Sequence, residues 1–207
     1  MAPLPGKAGS GGNALKWNMW TQGKNTKKCK RYNFANHAHE LTFSCYRNQS
    51  LLSSKRACEW LVEVIKDARV KYDFSVWAYV LMPTHVHLLI KPNSKDYSIS
   101  RILSAIKRPV AVKAISYLKQ NSSPTLNSLT VPGKQNRYRF WQKGGGYDRN
   151  ITSVDTLIQT VKYIHANPVR KRLVERPQDW YYSSVREWLG IGKGSLDIDK
   201  QNWPVFY

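Results

Sequence analysis

Cysteine is scarce in this sequence of 207 residues, and long apolar runs are missing from it. The three cysteines, Cys29, Cys45 and Cys58, are widely spaced and form no C-x-x-C pair, so they define neither a disulfide framework nor a zinc knuckle. No stretch approaches the roughly 20 apolar residues of a membrane span. Residues 1–20 lack the apolar segment of a signal peptide. We therefore expect reduced thiols in a cytoplasmic protein without a membrane partner.

Acidic residues are also few. The chain has 13 Asp and Glu against 33 Lys and Arg, which gives a formal net charge of +20. Such an imbalance favours a polyanionic partner, because each phosphate that a cation neutralises releases condensed counterions. The 12 Tyr and 8 Trp suit stacking on unpaired bases. The composition predicts a nucleic-acid partner and a nucleoid-associated location; a merely basic or ribosome-associated protein is the alternative.

The distribution of these residues predicts one folded domain between two extensions. Residues 1–31 are rich in Gly, Lys, Asn and Ser, carry cations and no acid, and are predicted to form a flexible basic arm. Residues 32–190 have the periodic apolar pattern of a domain, and residues 191–207 form a tail.

The apolar periodicity predicts the order β-α-β-β-α-β-α, an α+β domain with helices packed on an antiparallel sheet. The predicted elements are a strand over 40–46, a helix capped by Ser53 or Ser54, strands over 74–81 and 85–90, a helix over 98–118, a strand opening at 140–142, a helix over 153–167 and a short helix near 183–189. A proline lies inside one of these predicted helices and directly after another. Pro109 is expected to kink or split the first, and Pro168 to stop the second.

Two histidines lie in the third predicted strand. Side chains alternate along a strand, so His85 and His87 project from one face about 7 Å apart. Two nitrogens are too few for a closed structural zinc site, which takes four ligands, but they suit an open catalytic metal site. The same spacing recurs at His37 and His39, where we expect no metal. The alternative for either pair is two satisfied polar side chains.

The last long helix carries a tyrosine on its polar side. At 100° per residue, the apolar side chains form one stripe, made up of Val154, Leu157, Ile158, Val161 and Ile164. Tyr163 lies roughly opposite that stripe, and Asn167 follows on the same face. The pair offers a phenolic nucleophile and a third, oxygen ligand for a metal. The alternatives are an amphipathic tyrosine at a domain edge and a different nucleophile, Tyr147, in the glycine-rich loop.

These segments resemble the motifs of a known enzyme family. The segment from Tyr79 to Leu89, YVLMPTHVHLL, is similar to the histidine–hydrophobic–histidine motif of the single-tyrosine transposases, and most similar to that of the REP-associated tyrosine transposases. The segment from Tyr163 to Arg170, YIHANPVR, resembles the second signature of that family. Weaker similarities lie at Trp141-Gln142, at residues 147–149, and at Trp180 with Ser183-Ser184.

The resemblance implies a ferredoxin-like sheet and a covalent DNA reaction. His85, His87 and Asn167 would hold Mg²⁺ or Mn²⁺, and Tyr163 would attack single-stranded DNA beside a hairpin, giving a 5′-phosphotyrosine and a free 3′-hydroxyl. Six cations are candidate DNA contacts, namely Lys107, Arg108, Lys113, Arg149, Lys162 and Arg170. The enzyme would act as a monomer or a homodimer. A catalytically silent nucleic-acid-binding protein of the same fold and a hydrolytic metal nuclease are the competing hypotheses.

Overall fold

The computed structural model describes residues 32–203, so the predicted basic arm and the last four residues lie outside the described residues. The strands and helices of this part are β1 Ala38–Ser44, α1 Lys55–Tyr72, β2 Phe74–Leu81, β3 His85–Pro92, α2 Ile99–Gln120, α3 Thr125–Ser128, β4 Tyr147–Ile151, α4 Val154–Arg170 and α5 Val185–Trp188. Within residues 32–203, no helix combines the length and the apolar character of a membrane crossing.

The strands form one antiparallel sheet with helices on both faces, which confirms the predicted α+β fold. The strand order is β2-β3-β1-β4, and the element order β-α-β-β-α-β is that of a ferredoxin-like domain. Helices α1 and α2 pack on one face of the sheet, whereas α4 packs on the other.

The alternation of side chains along β3 separates these two faces. Val86, Leu88 and Ile90 join the core beneath α1 and α2, as the sequence predicts. Leu89 points the other way and is buried with residues of α4. Because residues two apart on a strand share a face, His85 and His87 lie on the α4 face.

Helix α2 is one continuous helix, so the expected split at Pro109 is wrong. Ser98 caps its start by accepting a hydrogen bond from the Arg101 amide at 3.4 Å. Proline inside a helix costs about 3 kcal/mol, but each fully buried aliphatic side chain contributes about 1.5–3 kcal/mol. Such side chains lie on both sides of Pro109, at Ile102, Leu103, Ile106 and Val110. Burial of this stripe therefore outweighs the missing hydrogen bond.

Helix α4 passes through Pro168 and ends at Arg170, so the predicted stop at Pro168 is wrong. The helix ends instead where Arg172 adopts a positive φ of 56°. The Leu173 amide donates to the Pro168 carbonyl at 2.9 Å, and the Arg172 amide donates to the Val169 carbonyl at 2.8 Å. These two bonds form a Schellman motif, which satisfies the last carbonyls one turn beyond the proline.

The fourth strand begins at Tyr147 rather than at residues 140–142. Trp141 makes a single bridge to Cys45 at the end of β1, and its ring packs against Phe43 at 5.1 Å between centroids. The glycines at 144–146 separate this contact from β4. The aromatic residues in this segment therefore anchor a loop to the core, and the ladder with β1 starts only after the glycines.

The C-terminal segment covers the free edge of β2. Ser183 bridges to Val80, and the Leu81 amide donates to the Tyr182 carbonyl at 2.9 Å. Helix α5 follows, within the range predicted for it. Farther on, Leu196 and Ile198 are buried in the core under α1, so this part of the predicted tail is packed onto the domain. An edge paired in this way is closed to strands of other chains.

His165 of α4 is held against this segment and predicts acid sensitivity. Its Nε2 atom lies 2.8 Å from the Ser184 hydroxyl, and burial lowers the pKa of His165 to about 4. The unfolded chain therefore takes up this proton at a higher pH than the folded chain. The free energy of unfolding is lowered by this difference in protonation. The reduction is absent above the ordinary pKa of about 6.5 and reaches about 2 kcal/mol at pH 5.

We expect the free energy of unfolding to fall less between pH 7 and pH 5 in His165→Gln than in the wild type, by about 2 kcal/mol. Urea unfolding at both pH values measures the difference. All other histidines are common to the two proteins, so their contributions cancel. An equal loss of stability in both proteins would contradict the lowered pKa of His165 in the folded protein.

Candidate active site

The two histidines of β3 lie edge to face, with ring centroids 4.8 Å apart. The hydroxyl of Thr84 is 2.9 Å from Nδ1 of His85, and the hydroxyl of Thr42 is 2.9 Å from Nδ1 of His87. Both Nδ1 atoms are thus hydrogen-bonded, which leaves the Nε2 atom of each ring as the nitrogen that can take another ligand. Sequence reasoning missed the two threonines. Thr42 is on β1, and only the register that sets it opposite His87 reveals it.

Both imidazoles are held in the neutral form. Burial lowers the pKa of His87 to about 3, helped by the charge of Arg170 and by the repulsion that would arise if His85 and His87 were both protonated. Burial and the charge of Lys171 also lower the pKa of His85. Nε2 of His87 is buried and has no hydrogen-bond partner among the described residues. A neutral, buried and unpartnered imidazole nitrogen is suited to a ligand that accepts a lone pair.

Tyr163 of α4 packs against His87 of this pair. Its ring lies edge to face with that of His87, with centroids 5.5 Å apart, and its side chain is 40% exposed. The guanidinium carbon of Arg170 is 5.1 Å from the centroid of the Tyr163 ring. The predicted nucleophile therefore has a histidine on one side, a cation nearby and access to solvent.

Asn167 lies one helical turn beyond Tyr163 and is 5% exposed. Its Nδ2 atom donates to the Tyr163 carbonyl at 2.9 Å, which leaves Oδ1 free of that bond. The side chain also lies near enough to His87 to oppose, in part, the lowering of the pKa of His87. The structure thus brings His85, His87, Tyr163 and Asn167 together, as the sequence predicts.

The donor set fits a divalent ion in an open site. Two imidazole side chains of β3 and one amide side chain of α4 supply the candidate ligands, and the unpartnered Nε2 of His87 is the atom that most needs a ligand. No group of three or more His, Cys, Asp or Glu residues within 32–203 forms a metal cluster. A set completed by an amide is too sparse for a closed structural site and leaves positions for a phosphate.

The family of the chain follows from comparison with known proteins. Residues 33–167, which include all four site residues, match the family model of the IS200-like transposases. The chain belongs to this family. The prediction of a single-tyrosine DNA transposase is thereby confirmed at the level of the family.

Two similar proteins carry the REP-associated name. One, from Haemophilus influenzae, is named a REP-associated tyrosine transposase and is 27% identical over 146 residues, which span 67% of this chain and 68% of the relative. The other is a solved structure of a REP-associated tyrosine transposase bound to a REP hairpin. It aligns with 82% of this chain and 90% of its own chain, with a TM-score of 0.60 and 20% identity. The second comparison supports the fold.

Three of the six candidate cations of the transposase lie on or beside its α4 face. Arg170 is the one over the Tyr163 ring. Arg149 of β4 forms an ion pair with the buried Glu40 at 2.7 Å and donates to the Thr160 hydroxyl at 2.9 Å, so it also fixes β4 to α4. Lys162 is exposed on α4.

The other three lie on α2, across the sheet. Lys107 donates to the Gly144 carbonyl at 2.8 Å, and Arg108 is exposed. Lys113 pairs with Glu63 of α1 at 3.3 Å. These cations are therefore remote from Tyr163, and any DNA that contacts them must extend beyond the transposase active site.

The second H-x-H pair of the transposase lies apart from the first. His39 is fully buried and bonds to Asp148 at 2.8 Å and to Tyr97 at 2.7 Å, while His37 lies 3.1 Å from the Asn150 amide. Tyr147, the other candidate nucleophile, lies on β4 opposite Thr42 of β1 and is 50% exposed. Two strand spacings, about 10 Å, separate its backbone from that of His87, whereas Tyr163 touches His87.

Gly146 holds the loop before β4 against the strand that carries Thr42. Its φ is +76°, and a Cβ atom there would lie 2.0 Å from the Thr42 carbonyl oxygen. Gly144, two residues earlier, also has a positive φ of +96°, but a Cβ atom there would meet nothing within 4 Å. The two glycines share the backbone constraint, and only Gly146 has the steric one.

Gly146→Ala should therefore destabilise the protein more than Gly144→Ala. The second substitution costs about 1–2 kcal/mol for the left-handed backbone alone, and the first must in addition displace β1 or β4. Urea unfolding of the two variants beside the wild type provides the measurement. Equal losses in the two variants would show that the close approach to Thr42 is not a constraint.

Proposed function

We propose that this chain cleaves single-stranded DNA beside a hairpin and rejoins it through a covalent 5′-phosphotyrosine at Tyr163. In this proposal His85, His87 and Asn167 hold Mg²⁺ or Mn²⁺. The observation that carries the proposal is the contact between the Tyr163 and His87 rings, because it brings a solvent-accessible phenol to the two neutral imidazoles. The family supports the class of reaction.

The proposed step exchanges one phosphodiester bond for another. The Tyr163 oxygen attacks phosphorus and loses its proton to water, and the bond between phosphorus and the 3′-oxygen breaks. The departing 3′-oxygen takes a proton from water and becomes a hydroxyl. The phosphate ester is retained on Tyr163, so a 3′-hydroxyl can later attack it and restore a DNA strand without ATP.

The residues around the phenol serve this step in different ways. The Arg170 guanidinium, beside the ring, offsets negative charge on the attacking oxygen and the phosphate. Asn167 anchors its own side chain to the Tyr163 carbonyl, which couples the oxygen ligand to the nucleophile along one helix. A divalent ion, when bound, polarises the scissile phosphate and neutralises charge that develops on its oxygens.

A hairpin is the proposed recognition element. The solved relative of the same fold is bound to a REP hairpin, and the formal net charge of +20 suits a nucleic acid. The proposed location is the cytoplasm, in association with the nucleoid, and the proposed oligomeric state is a monomer or a homodimer.

Formation of a covalent adduct tests the nucleophile. A labelled library of hairpins with unpaired flanks of random sequence is incubated with the protein and Mn²⁺ or Mg²⁺, then run on a denaturing gel. The wild type should give a protein–DNA adduct that Tyr163→Phe and His87→Ala lose. Tyr147→Phe is the matched control, and it should retain the adduct because Tyr147 is remote from His87.

The remaining outcomes separate the competing functions. Cleavage that survives Tyr163→Phe, without an adduct, would show a hydrolytic nuclease and contradict the covalent step. Hairpin binding by the wild type without any cleavage would show a catalytically silent binding protein. Loss of the adduct in Tyr147→Phe alone would move the nucleophile to β4.

Removal of the Thr42 hydroxyl tests the proposed ion site separately from cleavage. Groups that bond the second nitrogen of a metal-bound histidine change metal affinity by about 10–100-fold. We therefore expect Thr42→Val to weaken Mn²⁺ binding by about that factor, measured from the electron paramagnetic resonance signal of free Mn²⁺. Thr42→Ser keeps the hydroxyl and should keep most of the affinity. Equal affinity in wild type and Thr42→Val would contradict this role of Thr42.

A further inference from the structure

A concave groove lies on the far side of the sheet from Tyr163, between α2 and residues 138–145. Its volume is about 420 Å³. Its apolar floor includes Leu103, Ala111 and Phe140, and Tyr138 lies at its side. Four cations also line it, namely Lys107, Arg108, Arg139 and Lys143. The groove therefore combines an aromatic and apolar surface with a basic rim.

Three of the four cations that line the groove have no carboxylate partner within residues 32–203. No acidic residue of this part of the chain lines the groove. Arg108, Arg139 and Lys143 form no ion pair with a carboxylate of the described residues. Lys113, on the same helix but outside the groove, is paired with Glu63. An anionic ligand would meet three cations without having to displace a carboxylate.

The walls of the groove are fixed in place by hydrogen bonds across it. The Trp141 indole donates to the Lys107 carbonyl at 2.8 Å, and the Lys107 ammonium donates to the Gly144 carbonyl at 2.8 Å. Trp141 is buried against Phe43 of β1. The segment is thus tied to both α2 and the sheet, so binding a ligand requires little ordering of the protein.

We propose that this groove binds unpaired DNA next to the hairpin, with a base on Tyr138 and the apolar floor and phosphates on the basic rim. Basic residues beside an aromatic surface are the usual combination for unpaired nucleotides. The volume is that of a small-ligand site, which suits unpaired nucleotides and not a duplex. This inference rests on the proposed function, since it assumes a DNA substrate with a single-stranded flank.

The groove leads toward the active site around the edge of the sheet. Gly144 and Gly145 are among its lining residues, and β4 begins two residues after Gly145, at Tyr147. In residues 32–203, β4 is the outermost strand on this side. Tyr147 is half exposed and opposite Thr42, on the face of His87. DNA that leaves the groove can therefore round β4, pass Tyr147 and reach Tyr163.

Two triple variants with the same change in charge test the groove. Arg108→Ala/Arg139→Ala/Lys143→Ala removes three of its cations, whereas Lys55→Ala/Arg176→Ala/Lys193→Ala removes three cations that are paired with Glu59, Asp179 and Asp197 outside it. Both are made in a Tyr163→Phe background and measured without metal, so that no cleavage occurs. Fluorescence anisotropy compares one hairpin with an unpaired flank and the same hairpin with a blunt end.

The groove variant should bind the flanked hairpin at least about tenfold more weakly than the control variant. Each phosphate contact on single-stranded DNA contributes about 0.7 to the slope of log affinity against log salt, so three lost contacts should reduce that slope by about 2. Binding of the blunt hairpin should be the same in the two variants. Equal weakening of the flanked hairpin by both variants, or equal weakening of both probes by the groove variant, would overturn the proposal.

Photocrosslinking locates the base. With 5-iodouracil in the flank, the crosslinked peptide should contain Tyr138, and Tyr138→Ser should lose the crosslink while Tyr138→Phe keeps it. Crosslinks that map to other segments only would overturn the groove as the binding site. These measurements need no cleavage, so they separate the two proposals. Flank-specific binding without an adduct would contradict only the proposed covalent chemistry. An adduct without flank-specific binding would contradict only the proposed role of the groove.

Discussion

The packing of α4 against one face of the sheet is the interaction on which the active site depends. Leu157, Val161 and Ile164 are buried with residues of β2 and β3, and each contributes about 1.5–3 kcal/mol. That packing fixes the rotation of the helix and brings Tyr163 over His87. The nucleophile and the two imidazoles belong to different elements, and this apolar contact, with the Arg149–Thr160 hydrogen bond, holds the helix on the sheet. The polar site is therefore a consequence of the core beneath it.

Much of this arrangement could be predicted because it depends on periodicities of the chain. Alternation along β3 places His85 and His87 on one face, and the helical period of α4 places Tyr163 and Asn167 one turn apart. Both periods act over a few residues. Burial confirms the predicted stripe of α4 at Leu157, Val161 and Ile164, whereas Val154 of that stripe is exposed. The same local pattern at His37 and His39 does not mark a metal site, because those side chains are bonded to residues of β4 and to Tyr97, which precedes α2. The motif alone therefore does not distinguish a site from a pair of satisfied histidines.

The features that escaped prediction depend on contacts between distant segments. Thr42 meets His87 only through the register of β1 and β3, which no local pattern encodes. Burial of apolar residues against the rest of the core carries α2 through Pro109. The basic groove likewise needs residues 138–145 to fold back onto α2. In each case tertiary packing overrides a preference of the local sequence.

The central claim is that Tyr163, set against His87 by α4, is the residue that becomes joined to DNA. Mass spectrometry of the adduct tests it most directly: the protein is incubated with a labelled flanked hairpin and Mn²⁺, digested with a protease, and the DNA-linked peptide is sequenced. The peptide should be the one that contains Tyr163, with the label attached through the phenolic oxygen. A DNA-linked peptide that contains Tyr147, or any other residue in place of Tyr163, would contradict the claim.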